Sequence, residues 1–209
     1  MLQLRRYSKQ YQNHLILSID ELTIPPGIHW LKGDNGSGKT TLFKSLAGII
    51  PFQGEIILHS IDSKREPKAY RKMVTYGEAE PLFPGFLTAK DLVGFVGKTR
   101  NSPQSEQEHF SESMGITSFF NQPCGTFSSG MLKRLSLAIA FLGNPKLIIL
   151  DEPQITLDEA SRNMLFTLIL EKSQDPKAVV LLSSHQSIDH DGLTFTDTFT
   201  IREKKVHRA

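Results

Sequence analysis

Apolar and polar positions follow two different periods along the chain, and together they predict a mixed α/β protein. Two runs, 147–150 and 178–182, are apolar at every position, and the segment between them, 158–172, carries apolar residues at helical spacing. Strands that are apolar on both faces and joined by a helix are typical of a parallel sheet covered on both sides. Shorter apolar runs predict further strands at 2–4, 15–19, 22–24, 28–31 and 55–58 and a closing hairpin at 199–207.

Helical spacing and capping residues predict three more helices. Residues 40–47 follow a glycine-rich stretch and end at Gly48, which is a common helix terminator. Residues 132–142 place apolar side chains on one face, and another helix is predicted to begin at Thr88. The segment 99–109 contains no apolar residue and is therefore predicted to be a surface connection.

The composition indicates a globular protein without a membrane span. The chain has 209 residues, of which 39% are hydrophobic and 22% charged, so it can build a core and is not globally disordered. Its 24 basic and 22 acidic residues give a formal net charge of +2, which offers no general attraction for nucleic acid. No apolar run approaches the roughly 18 residues of a span, and no apolar signal core follows Met1, so a cytosolic location is expected. A single cysteine, Cys124, excludes an internal disulfide and a multi-cysteine metal site.

A glycine-rich loop between a predicted strand and a predicted helix indicates a phosphate site. Residues 33–40 read G-D-N-G-S-G-K-T and match the pattern G-x-x-x-x-G-K-[ST]. Glycines let successive N–H groups turn toward phosphate oxygens at the positive end of a helix dipole. Lys39 is expected to reach the β- and γ-phosphates, and the Thr40 hydroxyl to ligate Mg²⁺. The predicted nucleotide-binding residues of this loop are Gly33, Asp34, Asn35, Gly36, Ser37, Gly38, Lys39, Thr40 and Thr41.

Two acids follow the buried strand 147–150. In an open α/β sheet, ligands bind beyond the carboxyl ends of the strands, so Asp151 and Glu152 are expected to face the phosphate loop. A carboxylate such as Asp151 suits Mg²⁺, usually through a water molecule. Glu152 is placed to accept the proton of an attacking water. These residues predict a magnesium site at Thr40 and Asp151 and a catalytic role for Glu152.

These motifs, in this order, resemble the nucleotide-binding ATPase of ATP-binding-cassette (ABC) proteins over nearly the whole chain. By this resemblance, residues 33–42 form the Walker A motif and 147–153 the Walker B motif with its catalytic Glu152. The resemblance also places Asp158 in the D-loop, which contacts the nucleotide across a dimer; a helix N-cap is the alternative role for this residue. It implies that His185 is the switch histidine, a second catalytic residue that senses the γ-phosphate, and an ordinary loop histidine is the alternative.

The resemblance also implies the architecture. The expected fold class is α/β, a P-loop NTPase with a mixed, largely parallel sheet core, an antiparallel β subdomain and an inserted helical subdomain. The whole chain, 1–209, is then one domain. Its catalytic core and β subdomain comprise 1–85 and 145–209, and its helical subdomain, with the signature motif, comprises 86–144.

Two motifs of the family are altered here. The signature Leu-Ser-Gly-Gly-Gln is replaced by Phe-Ser-Ser-Gly-Met at 127–131. Ser128 and Gly130 are retained and, by resemblance, bind the γ-phosphate that the opposite subunit holds. The Q-loop glutamine is missing after the expected strand 73–76, where Glu78, Glu80 or neither residue takes its place.

The adenine contact is expected from an aromatic residue that precedes the phosphate loop. Tyr11 occupies that place, and Tyr7 is the competing candidate. A half-buried strand tyrosine is the alternative interpretation of either residue.

The resemblance implies an ATP-hydrolysing, Mg²⁺-dependent subunit that powers a membrane transporter on a separate chain, an exporter by its brevity. It would pair with itself or a sibling ATPase and lie on the inner face of the cell membrane through its partner, with no nucleic acid expected. A partner helix would dock beside Leu82, Phe83 and Phe86. The first alternative is a soluble ABC ATPase acting on ribosomes or nucleic acid. The second is a monomeric P-loop kinase or GTPase, whose base-reading motif is absent from the sequence.

Overall fold

The chain folds into two β-sheets with helices packed against them. The computed structural model describes residues 1–184, 188, 190 and 192–209. Over these residues the chain forms ten strands and six α-helices. The strands are β1 (Leu2–Tyr11), β2 (His14–Ile24), β3 (Gly27–Lys32), β4 (Gln53–Leu58), β5 (Ile61–Asp62), β6 (Val74–Gly77), β7 (Leu147–Leu150), β8 (Val179–Ser183), β9 (Asp197–Arg202) and β10 (Lys205–Arg208).

The helices lie between the strands, and three of them follow one another in the middle of the chain. Short 3₁₀ turns at Thr117–Phe119 and Cys124–Thr126 join the second and third of these. The helices are α1 (Lys39–Leu46), α2 (Pro67–Lys72), α3 (Ala89–Arg100), α4 (Gln104–Ser113), α5 (Ser129–Phe141) and α6 (Glu159–Ser173).

The larger sheet has the strand order β10-β9-β3-β8-β7-β6, and the smaller sheet the order β2-β1-β4-β5. In the larger sheet the neighbours from β9 to β6 pair in parallel, and β10 pairs antiparallel with β9. The smaller sheet is antiparallel throughout. The predicted α/β fold class, with a largely parallel sheet and a separate antiparallel sheet, is confirmed.

Strands β7 and β8 are buried at every position because a hydrophobic core covers each face of the sheet. In β7, Ile148 and Leu150 face a core shared with helices α3 to α6. Leu147 and Ile149 face a second core, which is built from α1, α2 and the antiparallel sheet. This alternation is what a continuous apolar strand between two layers requires.

The segment 99–109 is not a surface connection, so that prediction is wrong. Helix α3 runs to Arg100, and α4 begins at Gln104. The polar residues of α4 make tertiary bonds that periodicity does not reveal: Glu106 accepts hydrogen bonds from the Gly143 N–H at 2.9 Å and the Lys172 ammonium at 3.2 Å. Phe110, just past the polar stretch, is buried and stacks on Phe141.

The first hairpin is longer than the sequence pattern indicated. Strands predicted at 15–19 and 22–24 are one strand, β2, and β1 extends from Leu2 to Tyr11. Polar residues interrupt the apolar pattern because part of each strand is exposed, and the register shifts between Lys9 and Gln10. The short elements β5 and α2 have no counterpart among the predicted ones.

The predicted helical subdomain, 86–144, contains α3, α4 and α5. Thr88 caps α3 through a reciprocal bond with Asp91, as a capping box does. Its boundaries as a subdomain stay a prediction. Within the described ranges, none of the helices combines the length and apolar character needed to cross a membrane.

Candidate functional site: a phosphate loop beside two acids

The phosphate loop connects β3 to α1 and adopts backbone conformations that require glycine. Gly36 has a φ of 76° and Gly38 a φ of 106°, both in the left-handed region. A Cβ on Gly38 would lie 3.1 Å from the Ile16 side chain, whereas a Cβ on Gly36 would meet open space. The loop is therefore closed on the side of β2 and open at Gly36.

Lys39 lies at the start of α1 with its ammonium group turned back into the loop. Its Nζ donates hydrogen bonds to the carbonyl oxygens of Gly33 at 2.6 Å and Asp34 at 3.1 Å. Burial lowers the pKa of Lys39, while the charges of Glu152, Asp151 and Asp34 act in the opposite direction. The ammonium group of Lys39 is thus held against the loop backbone by two carbonyl oxygens of the loop.

The Asp151 carboxylate accepts hydrogen bonds from hydroxyl groups on three separate elements. The Thr40 hydroxyl donates to Oδ2 at 2.7 Å, and the Tyr76 hydroxyl donates to the same oxygen at 3.2 Å. The Ser183 hydroxyl donates to Oδ1 at 2.6 Å. Burial and the negative charge of Asp151 raise the pKa of Tyr76, so this phenol remains a donor. The carboxylate is consequently fixed against the first turn of α1.

Glu152 follows directly and completes the acid pair. It is buried, with 7% of its surface exposed, and has a φ of 44°. Its main-chain N–H donates to the Ser183 hydroxyl oxygen at 2.9 Å. The phosphate loop and both acids line one cavity of about 220 Å³; the lining residues are Ile16, Asn35, Gly36, Ser37, Gly38, Lys39, Thr40, Thr41, Asp151 and Glu152.

A second cavity of about 410 Å³ adjoins the loop. It lies between the start of β2, the segment from Asp34 to Ser37 and the turn between β9 and β10. Asn35, Gly36 and Ser37 line both cavities. The loop therefore has space on two sides, one of which contains the acid pair.

The structure separates the two tyrosine candidates. Tyr7 is fully buried, and its hydroxyl shares a 2.9 Å hydrogen bond with Ser45, so its ring has no face for a ligand. Burial raises the pKa of Tyr7 to about 12. Tyr11 is 49% exposed, with the Lys9 ammonium 4.5 Å from its ring centroid. Tyr11 stays the predicted adenine contact.

The altered signature motif opens helix α5. Ser128 is exposed and caps the helix by accepting a hydrogen bond from the Met131 N–H at 3.3 Å. A Cβ on Gly130 would lie 3.0 Å from the carbonyl oxygen of Thr156, so the helix start packs closely on the loop after the acid pair. Among the described residues that line the 220 Å³ cavity, Ser128 and Gly130 are absent.

The D-loop residue Asp158 is exposed and caps helix α6. It accepts a hydrogen bond from the Ser161 N–H at 2.7 Å, and this bond lowers its pKa. Its predicted contact with nucleotide across a dimer stays a prediction. His185 lies outside the described residues, and its predicted role also stays a prediction. The segment that leads to it ends at Ser184, which accepts a hydrogen bond from Gln154 at 3.3 Å.

Thr156 adopts a left-handed conformation, with a φ of 66°, that is unusual for a β-branched residue. We expect Thr156→Gly to raise the free energy of unfolding by about 1 kcal/mol, because the relieved strain exceeds the greater unfolded freedom of glycine. The matched control is Thr167→Gly in helix α6, where glycine should cost a few tenths of a kcal/mol. Urea unfolding measures both, and a destabilised Thr156→Gly protein would contradict the expectation.

Three residues at the site were not identified from the sequence. Ser183 ends β8 at the same sheet edge as Asp151, and its position at the carboxyl end of a buried strand was the available signal. Tyr76 lies in β6, paired with β7. Lys133 lies on α5 and is 1% exposed, with its ammonium bonded to main-chain oxygens. Burial lowers the pKa of Lys133 to about 8, opposed by the charges of Asp151, Glu152 and Glu78.

A phosphate loop between a parallel strand and a helix, beside a strand that ends in paired acids, defines a P-loop nucleoside triphosphatase. The profile of the ABC transporter family matches residues 17–155 of this chain. The chain therefore belongs to the ABC transporter family and is an ABC nucleotide-binding domain.

Curated relatives agree with this assignment. ATP-binding cassette sub-family A member 7 of Rattus norvegicus is 30% identical over 191 residues, covering 88% of this chain and 9% of its own length. ABC transporter A family member 8 of Dictyostelium discoideum is 32% identical over 82% of this chain and 20% of its own length. The ABC transporter ATP-binding protein NatA of Bacillus subtilis is 30% identical over 78% of this chain and 69% of its own. The chain thus spans only a small part of the first two relatives.

Solved structures share the fold. The ATP-binding subunit of an ABC transporter superposes with a TM-score of 0.87 at 22% identity, covering 100% of this chain and 89% of that one. A dimeric ATP-binding cassette in a post-hydrolysis state, bound to ADP and phosphate, gives a TM-score of 0.81 at 18% identity. The match covers 100% of this chain and 97% of that one. At these identities the likeness concerns the fold alone.

Proposed function

We propose that this chain hydrolyses ATP in a Mg²⁺-dependent reaction and powers a membrane transporter carried on a separate polypeptide, in the export direction. Membership of a family that hydrolyses ATP supports the reaction. The observation that carries it for this chain is the 2.7 Å hydrogen bond between the Thr40 hydroxyl and Asp151, with Glu152 lining the same cavity. The export direction rests on the sequence resemblance alone.

The residues present fit both ATP and Mg²⁺. Gly36 leaves open space in front of the loop, and Ser37 Oγ is buried with no hydrogen-bond partner among the residues that the structure describes, as expected where phosphate oxygens bind. Thr40 and Asp151 offer hydroxyl and carboxylate oxygens, which Mg²⁺ prefers. Bound Mg²⁺ would offset the negative charge of the β- and γ-phosphates.

Different residues of the chain bind the nucleotide, position the magnesium site and activate water. The Lys39 ammonium binds phosphate oxygens, and the N–H groups at the start of α1 add the positive end of the helix dipole. Asp151 holds the Thr40 hydroxyl in place. The Glu152 carboxylate accepts the proton of the attacking water. Tyr11 contacts the adenine, and a second copy or a sibling ATPase contributes Ser128, Gly130 and Asp158.

The loop after β6 offers a docking surface for the membrane subunit. Leu82 is 87% exposed and Phe86 is 82% exposed, which is unusual for large apolar side chains, and the neighbouring Glu80 is also exposed. Phe83, in contrast, packs against the core shared with α3 to α6. A partner helix with apolar residues and a basic edge suits this combination. Docking there would place the chain on the inner face of the membrane.

The docking surface is tested by Phe86→Ala combined with Glu80→Lys. In cells that make the native partner, we expect membrane recovery of the chain to fall several-fold, because an interface anchor and a rim charge are both lost. ATPase activity and melting temperature of the purified protein should hold, since exposed substitutions change stability by about 0.5 kcal/mol or less.

The contrasting variant is Phe83→Ala, which should lower the melting temperature because this side chain packs on the core. Unchanged membrane recovery of the double variant would exclude this surface. Salt-sensitive RNA binding by a chain that does not associate with membranes would favour the ribosome or nucleic-acid alternative.

A further inference from the structure

Lys133 lies on the signature helix α5 but points its charge at the acid pair. Its side chain is 1% exposed, and its Nζ donates hydrogen bonds to the carbonyl oxygens of Glu78 at 2.7 Å, Ala79 at 3.2 Å and Asp151 at 3.1 Å. A lysine ammonium has three donors, and all three are used. One cation therefore joins α5, the loop after β6 and the end of β7.

The bond to Asp151 acts on the peptide unit that precedes the Glu152 side chain. The carbonyl oxygen of this unit accepts the bond from Lys133, and its N–H donates to Ser183 Oγ at 2.9 Å. Both polar atoms of the peptide between Asp151 and Glu152 are thus held. Glu152 has a φ of 44°, a conformation that residues other than glycine rarely adopt, so the surrounding contacts must maintain it.

Packing alone does not explain why a lysine occupies position 133. Burying a charge costs several kcal/mol unless every donor is satisfied, whereas methionine or leucine fills the same volume without that cost. Lys172 shows the ordinary arrangement elsewhere: it bonds the Gly143 carbonyl oxygen and the Glu106 carboxylate and keeps part of its side chain exposed.

We propose that Lys133 is a positioning residue for ATP hydrolysis: it holds the 151–152 peptide so that Glu152 stays aimed into the phosphate-loop cavity. Because the same ammonium bonds the Glu78 and Ala79 carbonyl oxygens, this alignment depends on where the loop after β6 lies. The loop lacks the family's glutamine, and Lys133 connects it to the peptide unit that precedes the catalytic acid. The inference rests on the proposed role of Glu152.

The test is a double-mutant cycle between Lys133→Met and Glu152→Gln. In otherwise unchanged protein, Lys133→Met should lower kcat by about 10- to 100-fold, as expected for a misaligned base, while KM for ATP changes less than about threefold. In the Glu152→Gln background it should lower the residual single-turnover rate less than about twofold, since no base remains to be aligned.

The control is Lys172→Met, which should lower the melting temperature without changing kcat. If Lys133→Met does not fold, Lys133→Gln, which keeps two donors at shorter reach, replaces it in the cycle. An equal fractional loss of the single-turnover hydrolysis rate in both backgrounds, or a loss confined to ATP binding or thermal stability, overturns the positioning role. A Glu152→Gln protein with full turnover would instead refute the proposed function, so the two failures are distinct.

Discussion

Replacing Glu152 with glutamine is expected to remove most ATP turnover while leaving ATP binding intact. Glutamine keeps the size and one oxygen of the side chain but cannot accept a proton from the attacking water. General-base catalysis accelerates a reaction by about 10²- to 10⁴-fold, so kcat should decrease by a factor in that range. The phosphate loop and the Thr40–Asp151 bond are untouched by this change. Single-turnover hydrolysis of radiolabelled ATP and equilibrium binding of a fluorescent ATP analogue give the two measurements.

The contrasting variant is Lys39→Ala, which should weaken ATP binding itself. Its ammonium group lies at the mouth of the loop, bonded to the Gly33 and Asp34 carbonyl oxygens. The loss of a phosphate-binding cation reduces affinity before any chemistry takes place. Equal hydrolysis rates for wild type and Glu152→Gln, measured with the transporter partner present, would refute the assignment of the base.

Two inactive variants are expected to restore activity when mixed. Lys39→Ala damages the phosphate loop, and Ser128→Arg places a bulky cation at the start of α5. If each site combines the loop of one copy with Ser128 of another, a mixed dimer retains one intact site. Random pairing makes half of the dimers mixed, so the mixture should reach about a quarter of the wild-type rate if the sites act independently.

The structural basis is the separation of these residues within one copy. Ser128 and Gly130 do not belong to the described lining of the cavity that contains Lys39 and Glu152. The control is Ser118→Arg, an exposed serine outside the signature, which should retain full activity alone. A mixture of the two damaged proteins that is no more active than either one would contradict a site shared between copies.

The core of the candidate site was predictable because its residues are contiguous motifs. The phosphate loop reads directly as residues 33–40, and its place between a strand and a helix is confirmed by β3 and α1. The rule that ligands bind at the carboxyl ends of parallel strands predicted that Asp151 lies beside the phosphate loop. In the structure, the Thr40 hydroxyl oxygen is 2.7 Å from Asp151 Oδ2. These predictions needed only local pattern and one general property of parallel sheets.

Elements whose stability comes from distant contacts were predicted less well. Helix α4 lies largely in a segment without apolar residues, and its Glu106 side chain accepts hydrogen bonds from Gly143 and Lys172, far along the chain. Strand β1 continues past Leu4 because it pairs with β2 and β4, and such pairing compensates for a weak local pattern. In both cases tertiary contacts outweighed local preference.

Local sequence alone defines this chain as an α/β nucleotide-binding protein, because the strand period, the helix period and the phosphate-loop motif each depend only on residues close together in the sequence. The tertiary structure alone decides how the acid pair is held. Lys133 reads as one more polar position on a helix, yet it bonds carbonyl oxygens of Glu78, Ala79 and Asp151. Main-chain oxygens are present at every residue and carry no sequence signal. Only the fold determines which of them a buried cation meets.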